Sequence, residues 1–83
     1  MKKKAKLNTQ FDKQFGLFVK KMREERGWSQ VILADKVENN YQNISRLERG
    51  EMTPTLFWCY KLANAFEMDL QDLIKEFGFK FKK

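Results

Sequence analysis

The stretch Ser29–Arg49, SQVILADKVENNYQNISRLER, reads as two short helices joined by a tight turn, and the rest of the chain is organised around it. Two helices crossing at roughly 90–120° over a turn of about 3–4 residues need a small side chain where they touch. Ala34 supplies it. Leu33, Val37, Ile44 and Leu47 fall on one side at helical spacing and form the expected apolar underside. Asn40, Tyr41, Gln42, Asn43, Ser45 and Arg46 are left on or near the outward face. Amide, hydroxyl and guanidinium groups on an exposed helix are the chemistry that reads base edges in a DNA major groove.

Outward from this pair, three further helices are expected. An amphipathic segment from about Phe11 to Arg26 places Phe15, Phe18, Val19 and Met22 at helical spacing, and Gly27 ends it. Ser29 is the expected cap of the second helix, which runs to about Lys36 or Val37. Glu38 and Asn39 form the turn, Asn40 caps the third helix and Gly50 closes it. After a loop from Glu51 to Pro54, a fourth helix from about Thr55 to Phe66 aligns Leu56, Cys59, Leu62, Ala63 and Phe66 on one face. Asp69 and Asp72 open a fifth that ends near Glu76. The reading is a compact all-α domain of five helices over residues 11–76, with a flexible basic arm at 1–10 and an aromatic and basic tail at 77–83.

Composition narrows the function. Eighty-three residues with 42% apolar content suffice for one small core without disulfides. A single cysteine, Cys59, and no histidine leave no usual zinc or transition-metal constellation, and no cofactor is expected. No run approaches the roughly 18–20 apolar residues that span a bilayer, so no membrane association and a cytoplasmic setting are expected. The net charge of +6 resides at the ends, on Lys2, Lys3, Lys4, Lys6, Lys80, Lys82 and Lys83. Residues 7–79 hold ten basic and eleven acidic side chains, a net charge of −1. Bulk basicity therefore argues only weakly for nucleic acid at the folded core, although basic ends strengthen phosphate contact through counterion release.

Several short motifs together resemble the lambda repressor and Cro-like helix-turn-helix family, also called the xenobiotic response element family. They are Arg23, GWSQ at Gly27–Gln30, LA at Leu33 and Ala34, ISRLERG at Ile44–Gly50, Pro54, and LA with a following apolar residue at Leu62, Ala63 and Phe66. The likeness covers about Phe15 to Ile74. It implies a five-helix domain, usually dimeric, that binds double-stranded DNA and regulates transcription at an operator of two related half-sites. It further implies base or near-base contact by Asn40, Tyr41, Gln42, Asn43, Ser45 and Arg46, phosphate contact by Ser29, Gln30 and Arg49, and a structural ion pair between Arg23 and Glu48. Two positions depart from the family pattern. Glu38 stands where glycine is common, and Asn39 where a small aliphatic residue packs inward.

Surplus apolar residues bear on partners. Val31 and Ile32 are apolar where the family is usually polar, as are Phe57 and Trp58, while Phe77, Phe79 and Phe81 alternate with Gly78 and Lys80. A homodimer interface built from the fifth helix and the aromatic tail, with Phe57, Trp58, Phe77, Phe79 and Phe81 as candidates, accounts for them. The alternative is a tail folded over Phe57 and Trp58 within one chain. A sequence-specific regulator is the favoured function, with no small-molecule ligand expected. A protein-interaction or antitoxin-type module on the same fold is the alternative. An enzyme is not expected, because there is no histidine and no glycine-rich phosphate loop.

Overall fold

The computed structural model describes residues 6–82. Five helices follow one another in this range: α1 Lys6–Glu25, α2 Gln30–Lys36, α3 Tyr41–Glu48, α4 Leu56–Ala65 and α5 Leu70–Phe77. The core is one cluster to which every helix contributes, from Phe15, Val19 and Met22 through Leu33, Ala34 and Val37, Ile44 and Leu47, Cys59, Leu62, Ala63 and Phe66, to Leu73. Burial of Cys59 pushes its thiol above the ordinary value, as desolvation disfavours the thiolate. Lys2, Lys3, Lys4 and Lys83 of the basic ends lie outside the described residues, as does the first half of the expected arm, residues 1–5.

Four helices stop by the same device. At the end of α1, Gly27 is left-handed at φ +72°, its N–H donates to the Glu24 carbonyl, and the Trp28 N–H reaches back to the Arg23 carbonyl. The same pair of bonds recurs after α2 around Glu38, after α3 around Gly50 and after α4 around Glu67. This arrangement satisfies carbonyls that the helix leaves unpaired, and it requires a left-handed residue at its centre. Glycine fills that place twice. Glu38 (φ +56°) and Glu67 (φ +60°) fill it twice with a side chain that disfavours the conformation. Helix starts are equally local: the Ser29, Asn40 and Thr55 side chains accept from the N–H groups of Ile32, Asn43 and Trp58.

Three expectations are corrected. α1 begins at Lys6, not near Phe11, so residues 6–10 belong to a helix of 20 residues. The reason lies at the other end of the chain, where residues 79–82 run extended along the start of α1. The Gln14 side-chain amide pairs with both backbone groups of Lys80 (2.9 and 3.3 Å), and the Gln10 amide does the same for Lys82. Phe77 and Phe79 consequently pack within the chain, each edge-on to Phe11 at 5.4 and 5.2 Å between ring centroids. Phe77 also meets Phe15 and Phe18. The tail thus covers α1, and does not lie over Phe57 and Trp58. Leu56, finally, is exposed although Cys59, Leu62, Ala63 and Phe66 are buried, because it sits in the first turn of α4 beyond the edge of the core.

Candidate nucleic-acid interface

Three helices are locked together at one buried ion pair. Arg23 on α1 meets Glu48 at the end of α3 in a two-pronged contact, Nε to Oε2 at 2.7 Å and Nη2 to Oε1 at 3.0 Å. Its remaining nitrogen, Nη1, donates to the Trp28 carbonyl at 2.8 Å, and Gln30 Nε2 donates to Glu48 Oε1 at 3.0 Å. Hydrogen bonding to Glu48 raises the Arg23 guanidinium above its already high ordinary value, with burial opposing. A desolvated pair is tolerable only when its hydrogen-bonding capacity is met this fully. Beside it, Trp28 stacks on Phe66 at 5.8 Å and carries the Lys36 ammonium over its ring at 4.6 Å. Trp28 is therefore packed at the junction of α1 and α2.

The turn between α2 and α3 is held by asparagines. Asn39 Oδ1 accepts from the Asn40 N–H and from Asn43 Nδ2, both at 2.8 Å, and Asn40 Oδ1 accepts from the Asn43 N–H at 2.9 Å. Half-buried Asn39 thus replaces the inward apolar contact of the family pattern with hydrogen bonds. The engagement also ties up Asn40 Oδ1 and Asn43 Nδ2 within the turn.

What remains on the outward face of α3 is a short row. Ile44 and Leu47 are fully buried below it, while Tyr41, Gln42 and Arg46 are exposed above. Gln42 and Arg46 stand four residues apart, so their side chains are neighbours on one face. Ser45 Oγ accepts from Arg49, whose Nε and Nη2 also grip the Glu51 carboxylate at 2.8 and 3.0 Å. Ser29 and Gln30 stand at the start of α2, Ser29 as its cap and Gln30 bonded to Glu48. The expected dimer residues divide: Phe57 is exposed, Trp58 half-buried against the core, Phe77 and Phe79 packed on α1, and Phe81 about half exposed at 43%. Exposed Leu56, Phe57 and Tyr60 join half-buried Leu70 in an apolar concavity on α4 and α5. Among the described residues no cluster of histidine, cysteine or carboxylate side chains could hold a metal, and no helix is long and apolar enough to cross a membrane.

Sequence reading missed Gly16. A Cβ at this position on α1 would lie 2.5 Å from the backbone carbonyl oxygens of both Leu47 and Glu48, so α1 rests directly on the last turn of α3. The available signal was a glycine in the middle of an amphipathic helix, a placement that disfavours the helix by about 1 kcal/mol relative to alanine and calls for a packing reason.

A short helix braced by its neighbour, with its polar face outward and its far end anchored on a third helix, defines a helix-turn-helix domain. Residues 19–73 match the family model described as Helix-turn-helix. The chain belongs to this family, of the lambda repressor and Cro-like kind. It is also similar to the uncharacterized HTH-type transcriptional regulator YgzD of Bacillus subtilis (strain 168), at 33% identity over 55 residues that make up 66% of this chain and 83% of the relative.

Proposed function

We propose that this protein is a sequence-specific, DNA-binding transcriptional regulator that inserts α3 into the major groove, with Gln42 and Arg46 as its principal base readers. The observation that carries this reading is the exposed row of Tyr41, Gln42 and Arg46 on a helix whose opposite face is buried and whose end is fixed by Arg23 and Glu48. Family membership and the relative's description as a transcriptional regulator support it. Gln42 suits adenine and Arg46 guanine, each a two-bond contact that contributes about 1–3 kcal/mol of discrimination. Tyr41 packs on a thymine methyl or bonds a phosphate, and Arg49 sets register on the backbone. No enzymatic role is proposed.

The regulator works as a symmetric homodimer joined through Leu56, Phe57, Tyr60 and Leu70, since an exposed apolar concavity marks an association site. Two copies then present their α3 helices to half-sites about 34 Å apart. Selection of bound sequences from a random duplex pool tests the whole reading: an enriched, two-fold related motif is expected. Arg46→Ala should relax the preference at one position of that motif, and equal loss on all sequences would assign Arg46 to the backbone. A pool that enriches nothing favours an interaction module, to which the net charge of −1 over residues 7–79 and the apolar α4 face also point.

A further inference from the structure

Arg49 is expected at phosphate, yet its guanidinium is already occupied by a carboxylate of the same chain. The occupation is built into the backbone. Gly50, left-handed at φ +75°, ends α3 by donating to the Leu47 carbonyl, and the Glu51 N–H returns to the Arg46 carbonyl at 2.9 Å. This closed turn fixes Glu51 directly beside the last turn of α3, where its carboxylate meets Arg49 in a two-pronged contact. Hydrogen bonding to Arg49 holds the Glu51 carboxyl below its ordinary range, and the charge of Arg46 adds to the effect. A side chain at Gly50 would lie 3.1 Å from the Lys13 backbone, so α1 closes the other side, and Lys13, Arg49 and Glu51 line one concavity with Leu17 and with Glu48, whose carboxylate is held by Arg23.

We infer that Lys13 and Arg49 form a cradle for a DNA backbone phosphate and that Glu51 is its internal occupant, a carboxylate that a phosphate displaces on binding. The inference rests on the DNA-binding reading above. A carboxylate and a phosphate present the same paired oxygens to a guanidinium fork. Both partners of the fork are more than half exposed, at 54% and 51% for the side chains, and such pairs hold weakly enough to exchange. Glu51 thereby keeps Arg49 folded over Ser45, preset for an anion, and lowers affinity for every duplex by about the same factor. The device acts on affinity: it subtracts from backbone binding everywhere and leaves base contacts, and with them the ratio between preferred and random duplexes, intact.

The test needs no operator. Binding of a random-sequence duplex of about 20 base pairs, a length of roughly two helical turns, is measured by fluorescence anisotropy across a salt series. Glu51→Gln should bind about three- to tenfold tighter at low salt, and its log–log salt dependence should steepen by about 0.9, the value of one additional phosphate contact. Adding Arg49→Ala or Lys13→Ala to Glu51→Gln should remove that gain. Unchanged thermal unfolding of Glu51→Gln is expected and separates the effect from folding. Duplex binding by the parent chain with Glu51→Gln equal or weaker overturns this inference alone. Absence of duplex binding in every variant at low salt overturns it together with the DNA-binding reading.

Discussion

Gly16 and Glu48 are in backbone contact: the Cα of one faces the carbonyl of the other closely enough that a methyl group would sit 2.5 Å from the oxygen. The orientation of α3 is therefore set against α1 by main chain, where neither side can yield by changing a rotamer. Gly16→Ala gains about 1 kcal/mol of helix propensity. It also forces two backbones apart, an overpacking that destabilises by about 1–3 kcal/mol. A net loss of stability in urea denaturation is expected, together with weaker DNA binding, because α3 must tilt. Unchanged or raised stability would show that α3 is not seated on α1.

The Arg23–Glu48 pair predicts an asymmetry between single and double substitution. Glu48→Gln leaves a buried guanidinium with only the exposed Glu24 carboxylate at 3.9 Å, and Arg23→Met leaves a buried carboxylate that only Gln30 satisfies. Each should destabilise by about 3–5 kcal/mol, a large share of the stability of a small domain. Arg23→Met with Glu48→Leu removes both charges and should be clearly more stable than either single variant. Circular-dichroism melts of the four chains decide this, and strict additivity would count against direct pairing.

Most of the fold is legible in the residues, because it depends on chemistry that acts over three to five positions. Gly27, Ser29, Asn40, Gly50 and Thr55 each stop or start a helix by a bond within their own turn, and the apolar spacing locates Phe15, Ile44, Leu47 and Leu62 in the core. The placement of α3's outward face follows from the same spacing. What stays hidden depends on segments far apart in the chain. Gln10 and Gln14 meet the tail across 72 and 66 residues, and no local period in α1 announces that their amides face a backbone. Thr53, whose hydroxyl donates to Asp12, and Gly16 are of the same kind. The second use of two asparagines is hidden for a related reason: Asn40 and Asn43 bear the right groups for bases, and the turn also engages one side-chain atom of each.

Glu38 is the turn residue most open to improvement. Its left-handed conformation is imposed by the hydrogen bonds that end α2, donated by Glu38 to Asp35 and by Asn39 to Ala34. A residue with a Cβ is disfavoured there by roughly 1–2 kcal/mol, part of which glycine gives back through a more flexible unfolded chain. Glu38→Gly should therefore stabilise the domain by about 0.5–1 kcal/mol, raising the melting temperature by a few degrees. Glu38→Ala removes the same charge without relieving the backbone and should give no such gain. Equal effects from glycine and alanine would place the benefit in the lost charge.

The tail predicts a distinct role for two glutamines on the surface. Four residues along a helix rise about 6.0 Å and two residues of extended chain about 6.6 Å, so side-chain amides at 10 and 14 can meet the backbone at 82 and 80 in register. An amide both donates and accepts, as a strand neighbour does, and each glutamine satisfies one N–H and one C=O. Gln14→Glu keeps the acceptor but sets a carboxylate oxygen against the Lys80 carbonyl, so it should release the tail where an isosteric amide holds it. Release uncovers Phe79 and part of Phe11, which pack at 5.2 Å. Removing one such aromatic contact with its buried area should lower stability by about 1–3 kcal/mol. Trypsin provides the local readout: cleavage after Lys80 should be slow in the parent chain and much faster in Gln14→Glu and in Gln10→Ala with Gln14→Ala. Equal cleavage rates in all of them would mean that the phenylalanines alone hold the segment, and Phe79→Ala would then be the variant that frees it.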